Sequence, residues 1–201
     1  MRCYFPDLVL PLMLAGACVG VAQEACSQQG SQYYPLAKGN RWTYRVRALG
    51  KAGASTVEWR VTSKKGSQEG EVYQVWPSPM ESDDEAMVLL ASTTGIEETT
   101  ARLLILKSHI ADGETWISAK TSWSAPHKFH ILSAHEPCRV GPVASDDCVR
   151  VEDEDNDLHR RTVTTYAKGV GPVRYEYFRG ASPGRPPVQL VELISYKLSS
   201  E

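Results

Sequence analysis

From Arg41 to Ala48 the chain alternates strictly: Trp42, Tyr44, Val46 and Ala48 fall on one side, Arg41, Thr43, Arg45 and Arg47 on the other. A period of two marks a strand with one buried face. The period returns after glycines at 50 and 53, where Val57, Trp59 and Val61 alternate with Glu58, Arg60 and Thr62. A polar turn over 64–70 leads into a third strand, Val72 to Trp76. Three such strands joined by short polar turns predict an antiparallel meander.

The pattern continues almost to the C-terminus. Strands are predicted over 87–92, 102–107, 115–123, 127–135, 148–154, 158–166, 170–177 and 188–198. Leu103-Leu104-Ile105-Leu106 reads as a strand buried on both faces, and 77–85 as an acidic, proline-containing loop. Asp112-Gly113 and Asp155-Asn156-Asp157 supply turns. There is room for at most one short helix, within 78–92, and no fixed-period repeat or linker divides the chain.

A meander of about ten strands must hide its edges, and curling into a barrel does so. The expected fold is therefore all-β, a curved antiparallel sheet or half-open β-barrel over residues 33–198. Trp42, Tyr44, Trp59, Trp76, Trp116 and Trp123 supply the large side chains of its inner face. Among these, Trp42, Tyr44, Trp59, Trp116 and Trp123 are the candidates to line a concave site for an apolar ligand.

The first 22 residues read as an export signal. Arg2 precedes an apolar stretch from Leu8 to about Val21, and Gly20-Val21-Ala22 offers a cleavage site. The stretch is too short to span a bilayer, which takes about 20 apolar residues. A lipidation site at Cys18 competes with cleavage after Ala22: Leu14-Ala15-Gly16-Ala17 places small residues before the cysteine, with Ala15 where a larger aliphatic residue is usual. Residues 23–32 are polar and predict a flexible lead; if Cys18 is lipidated, residues 19–32 become a tether. The chain is then exported, periplasmic or extracellular, with no second apolar segment long enough to cross a membrane.

Charge and cysteines narrow the picture. A net charge of −2 gives no reason to expect a nucleic-acid partner. In an oxidising compartment Cys138 and Cys148 flank a loop containing Gly141, Pro142, Ser145, Asp146 and Asp147, and a disulfide there is expected, leaving Cys26 over.

Candidate chemistry is thin. Gly180-Ala181-Ser182-Pro183-Gly184 matches a serine-nucleophile pattern, but Arg185-Pro186-Pro187 forbids the helix that must follow it. His127 and His130 are three apart and face opposite sides of a strand, though His130 or His135 could meet His159 across strands; no metal or other cofactor is expected. Asp153-Glu154-Asp155-Asn156-Asp157 lacks the glycine and the distal glutamate of a calcium loop and reads as a solvated hairpin tip. Arg41, Arg45, Arg47 and Arg60 form a basic stripe on the outer face, paired across strands to residues such as Glu58.

Five segments together carry a resemblance: Tyr34-Pro35-Leu36 with Gly39-Asn40-Arg41-Trp42-Thr43-Tyr44; Gly113-Glu114-Thr115-Trp116; Asp147-Cys148-Val149-Arg150-Val151; Tyr166-Ala167-Lys168-Gly169-Val170-Gly171; and Glu192-Leu193-Ile194-Ser195-Tyr196. In this order they resemble a family of exported bacterial lipoproteins and periplasmic proteins with no assigned activity. The resemblance implies a curved sheet distantly like the LolA and LolB half-barrels of lipoprotein carriers, and no catalytic residues. The expected function is a non-enzymatic envelope protein that binds a lipid or other apolar ligand. The alternative is an assembly module that presents its sheet to an envelope protein partner.

Overall fold

The computed structural model describes residues 29–78, 86–118, 126–180 and 184–199. A short helix, α1 (Gln29–Tyr33), opens the described chain. It is followed by β1 (Arg41–Ala48), β2 (Ser55–Gly66), β3 (Glu71–Ser78), β4 (Met87–Ala91), β5 (Gly95–Glu98) and β6 (Leu103–Lys107). A second set comprises β7 (Thr115–Ser118), β8 (His127–Val140), β9 (Val143–Asp155), β10 (Arg160–Ala167), β11 (Gly171–Arg179) and β12 (Gln189–Lys197). The fold is all-β, a single antiparallel sheet curled into a nearly closed barrel. Only β5 has no counterpart in the predicted strands, because in Gly95-Ile96-Glu97-Glu98 a single residue, Ile96, is both apolar and buried.

The strand order is β6-β5-β4-β3-β2-β1-β12-β11-β10-β9-β8-β7. Two six-stranded meanders are thus joined where the first and last strands pair, with Tyr44 opposite Leu193 and Val46 opposite Val191. Their free edges, β6 and β7, follow one another in sequence and meet across a seam. No backbone ladder closes it; side chains do. Ser118 Oγ accepts from the Leu104 amide at 2.8 Å and donates to the Arg102 carbonyl at 3.3 Å. Trp116 Nε1 donates to the Leu104 carbonyl at 2.7 Å. Lys107 adds an ion pair to Glu114 at 2.6 Å and lies over the Trp116 ring. The seam also explains a departure from expectation. Leu103, Leu104 and Ile105 are half-buried and only Leu106 is fully buried, because β6 is an edge strand.

Inside, Trp42, Tyr44, Leu89, Ile96, Leu106, Ile131 and Leu193 are among the fully buried side chains. The outer face is polar, crossed by the pairs Arg47–Glu192, Arg60–Glu58, Arg161–Glu152 and Arg174–Glu176. Arg47 takes Glu192 rather than Glu58, because β12, not β2, flanks it on that side. This is the reverse of a membrane-spanning barrel, whose outer band is apolar. No helix among the described residues is long and apolar enough to cross a membrane.

One end of the barrel is plugged by α1 and the residues after it. The Gly30 amide donates to the Ser108 carbonyl at 3.2 Å, and a Cβ on Gly30 would lie 2.6 Å from the Lys107 carbonyl oxygen, so only glycine allows this approach. Gln32 accepts from the Gly169 amide at 2.7 Å. The lead expected over 23–32 therefore meets this helix at residue 29; residues 1–28, with Cys18 and Cys26, lie outside the described residues. Tyr34 packs edge-on against Trp42, whose Nε1 donates to the Val170 carbonyl at 2.7 Å. Gly171, with φ of +110°, lies directly against that indole. Asn40 ties three segments: Nδ2 donates to the Pro35 carbonyl at 2.6 Å, its own carbonyl accepts from Val61 at 2.9 Å, and Oδ1 accepts from the Ser199 amide at 2.7 Å.

A polar latch holds the plug. Tyr33 donates to Asp147, which also accepts from Lys168 at 2.9 Å and lies 3.0 Å from His135 Nδ1. His135 reaches this cluster from an irregular stretch of β8, with a left-handed φ of 58°. The Cys138–Cys148 disulfide spans β8 and β9 beside it, with a Cα–Cα distance of 6.0 Å.

Two stability predictions follow from the seam and the latch. Ser118→Ala leaves the half-buried Leu104 amide without its acceptor and should lower unfolding stability by about 1 kcal/mol, with faster amide exchange at Leu104. Unchanged denaturation midpoint and exchange would show that the seam does not depend on this hydroxyl. At the latch, partial burial alone would raise the Asp147 carboxyl, but the hydrogen bonds from Tyr33, Lys168 and His135 outweigh it and lower it from 3.8 to about 2. A depressed carboxylate stabilises the fold above its unfolded pKa and loses that contribution as pH falls toward its folded one. Between about pH 4 and pH 2, melting temperature should therefore fall more steeply for the wild type than for Asp147→Asn. Parallel curves would remove Asp147 from the acid response.

Candidate functional site

Because the strands run alternately up and down, their hairpins divide between two ends. The β9–β10 and β5–β6 hairpins lie opposite the plugged end, and the inward-facing row nearest to them is not filled. A cavity of about 220 Å³ remains there. Its floor is formed by Tyr34 and Tyr166, packed 6.1 Å apart. One wall is aromatic: Trp59 of β2 stacks on Tyr175 of β11 at 6.5 Å, and Tyr175 on Tyr177 at 6.4 Å. Facing it stands Phe129 of β8, backed by Trp116, whose ring is stacked on it at 5.1 Å. Met87 of β4 and Ile105 of β6 complete the apolar lining.

The polar part of the wall comes from β9 and β10. Val151 and Asp153 point inward from β9, Thr162 and Thr164 from β10. Asp153 is held by His127, with Nδ1 2.8 Å from Oδ1. His127 is itself buried, its Nε2 3.7 Å from Asp155, which Arg160 pairs at the same distance. Burial raises the Asp153 carboxyl above its ordinary value, opposed by His127. Burial likewise pushes the phenols of Tyr175, Tyr166 and Tyr34 well up, so all three stay protonated.

The candidates for a ligand lining separate here. Trp59 lines the cavity. Trp42 and Tyr44 lie beneath it as fully buried structural residues, each donating to β11 or the turn before it: Trp42 to Val170, Tyr44 to the Pro172 carbonyl at 2.8 Å. Trp116 serves the seam and backs Phe129. Trp123 lies outside the described residues, as do Ser182 and most of the acidic loop over 77–85. Asp153, read as part of a solvated tip, instead faces inward. The signal was present: Val149, Val151 and Asp153 share one parity on β9. Phe129, Tyr175 and Tyr177 follow from the same rule applied to β8 and β11.

The histidines do not converge. His109 sits by Glu114, His127 by Asp153 and His135 by Asp147, while His159 is in the β9–β10 turn. Among the described residues no group of three or more His, Cys, Asp or Glu side chains could hold a metal ion.

No family model and no curated protein matches the chain. Among solved structures it is similar to a candidate exported protein with a YmcC-like fold from Bacteroides fragilis, at 13% identity and a TM-score of 0.46, over 82% of this chain and 98% of that one. It is also similar to a candidate lipoprotein from Parabacteroides distasonis, at 9% identity and a TM-score of 0.42, with the same coverage.

Proposed function

We propose that this protein is a non-enzymatic component of the bacterial cell envelope whose barrel binds a small, largely apolar ligand in the cavity opposite the plug. The observation that carries the proposal is the cavity itself: about 220 Å³ walled by Trp59, Phe129, Tyr175 and Tyr177. Apolar cavities of roughly 150 Å³ bind benzene, while drug-sized ligands need about 300 Å³ or more. The space therefore suits one ring, or the end of a chain, rather than a whole diacyl lipid. Export is supported by the leader-like first 22 residues and by the Cys138–Cys148 disulfide, a bond of oxidising compartments. A second reading, an assembly module, draws on Ile117, which is 72% exposed on edge strand β7.

Native mass spectrometry of the full chain, expressed with its leader and recovered in mild detergent, tests this. The expected spectrum carries a small organic adduct that is lost in Val151→Phe, where the added ring fills the cavity. An adduct retained by a folded Val151→Phe protein would place binding elsewhere. A clean apo mass with a co-purifying protein partner would favour the assembly module.

A further inference from the structure

The charges around the cavity narrow its ligand further. Among the described residues that line it, Asp153 alone is ionisable near neutral pH, and no lysine, arginine or histidine joins it. The groups facing Asp153 are few. His127 of β8 touches it at 2.8 Å; beyond His127 lies Asp155 of β9, paired with Arg160 of β10. On β10 the cavity side offers Thr162 and Thr164, while Arg161 points to the outer face and pairs with Glu152 at 2.8 Å. With the imidazole neutral, Asp153, Asp155 and Arg160 leave one net negative charge; with it protonated, none. In neither state is this wall positive.

We infer that the cavity takes a small organic cation, its ammonium head against Asp153 and its carbon body between Trp59, Tyr175, Tyr177 and Phe129. This rests on the cavity being a ligand site, as proposed above. Aromatic faces present the negative side of the ring quadrupole, so Trp59, Tyr175 and Phe129 attract a cation through the same surfaces that exclude water. The half-buried Asp153 carboxylate, whose charged form is penalised by burial, gains from a cation brought to it. A carboxylate or phosphate head would meet Asp153 with no lining cation to compensate, so fatty acids and phospholipid heads are disfavoured at this wall.

Three probes with one ring and different heads decide the matter: benzylamine, benzyl alcohol and benzoate, titrated calorimetrically into the full-length protein near pH 7. Benzylamine should bind roughly tenfold or more tightly than benzyl alcohol, the order expected of desolvated cation–π contacts, and benzoate should not bind. In Asp153→Asn the amine should fall to the level of the alcohol, with the alcohol unchanged. Should that variant not fold, the wild-type pH series serves: the amine's advantage should shrink as acid protonates Asp153. Equal binding of amine and alcohol would overturn the cation inference and leave the cavity as a ligand site. A preference that survives in Asp153→Asn, or that does not change with pH, would overturn it too. No binding by any probe would overturn both.

Discussion

The whole architecture answers to one constraint, that a twelve-stranded sheet has two edges whose unpaired amides and carbonyls need partners. A barrel closed by a backbone ladder would pair β6 with β7 directly. Here the closing bonds run from the side chains of Ser118 and Trp116 to the backbone of β6. The indole also stacks on Phe129. Both edges are also very short, five residues and four, which limits what must be satisfied. An edge sealed by side chains lets the mouth be shaped by them, because Ile105 on one edge and Phe129, packed on the other, both line the cavity.

The opposite end has a different logic. Three of the five segments that carry the resemblance meet there: Tyr34 and Asn40 before β1 with Trp42 on it, Asp147 at the disulfide, and Lys168 to Gly171 between β10 and β11; Trp116 lies instead at the seam. Their contacts tie the N-terminal plug, the C-terminal strand and the β9–β11 region into one base. Of the cavity lining, Tyr34, Val151 and Tyr166 belong to these segments, while Trp59, Phe129, Asp153, Tyr175 and Tyr177 belong to none.

That division sets what was legible. Period-two alternation and, for β6, a continuous apolar run placed eleven of the twelve strands. It missed β5, where Ile96 alone carries the signal. It read Leu103–Leu106 as doubly buried because a continuous apolar run looks the same in a central strand and at a seam. The hairpin disulfide was legible from the turn residues between its cysteines. For the site, Trp59 was found and Asp153 was not. Composition made the run from Asp153 to Asp157 look solvated, and composition outweighed the parity that set Asp153 in line with Val149 and Val151. Nor does any local pattern tell Trp42 from Trp59. Both are inward tryptophans on neighbouring strands, directly paired in register, yet Trp42 is fully buried while Trp59 is half-buried against the cavity.

Asp153 is also where the structure departs from what stability alone would select. The two inward positions before it on β9 are Val149 and Val151, and a valine at 153 would extend that row without withdrawing a carboxylate from solvent. Instead burial raises the acid, and His127, itself withdrawn from solvent, offsets part of the cost with one hydrogen bond. Such an arrangement is worse for folding than an apolar wall and gives the barrel no strand pairing it lacks. The base and the seam are satisfied without it, so its placement concerns the cavity it faces. Among the described residues, an unfilled space and an inward carboxylate lie side by side, with Asp153 forming part of the cavity wall.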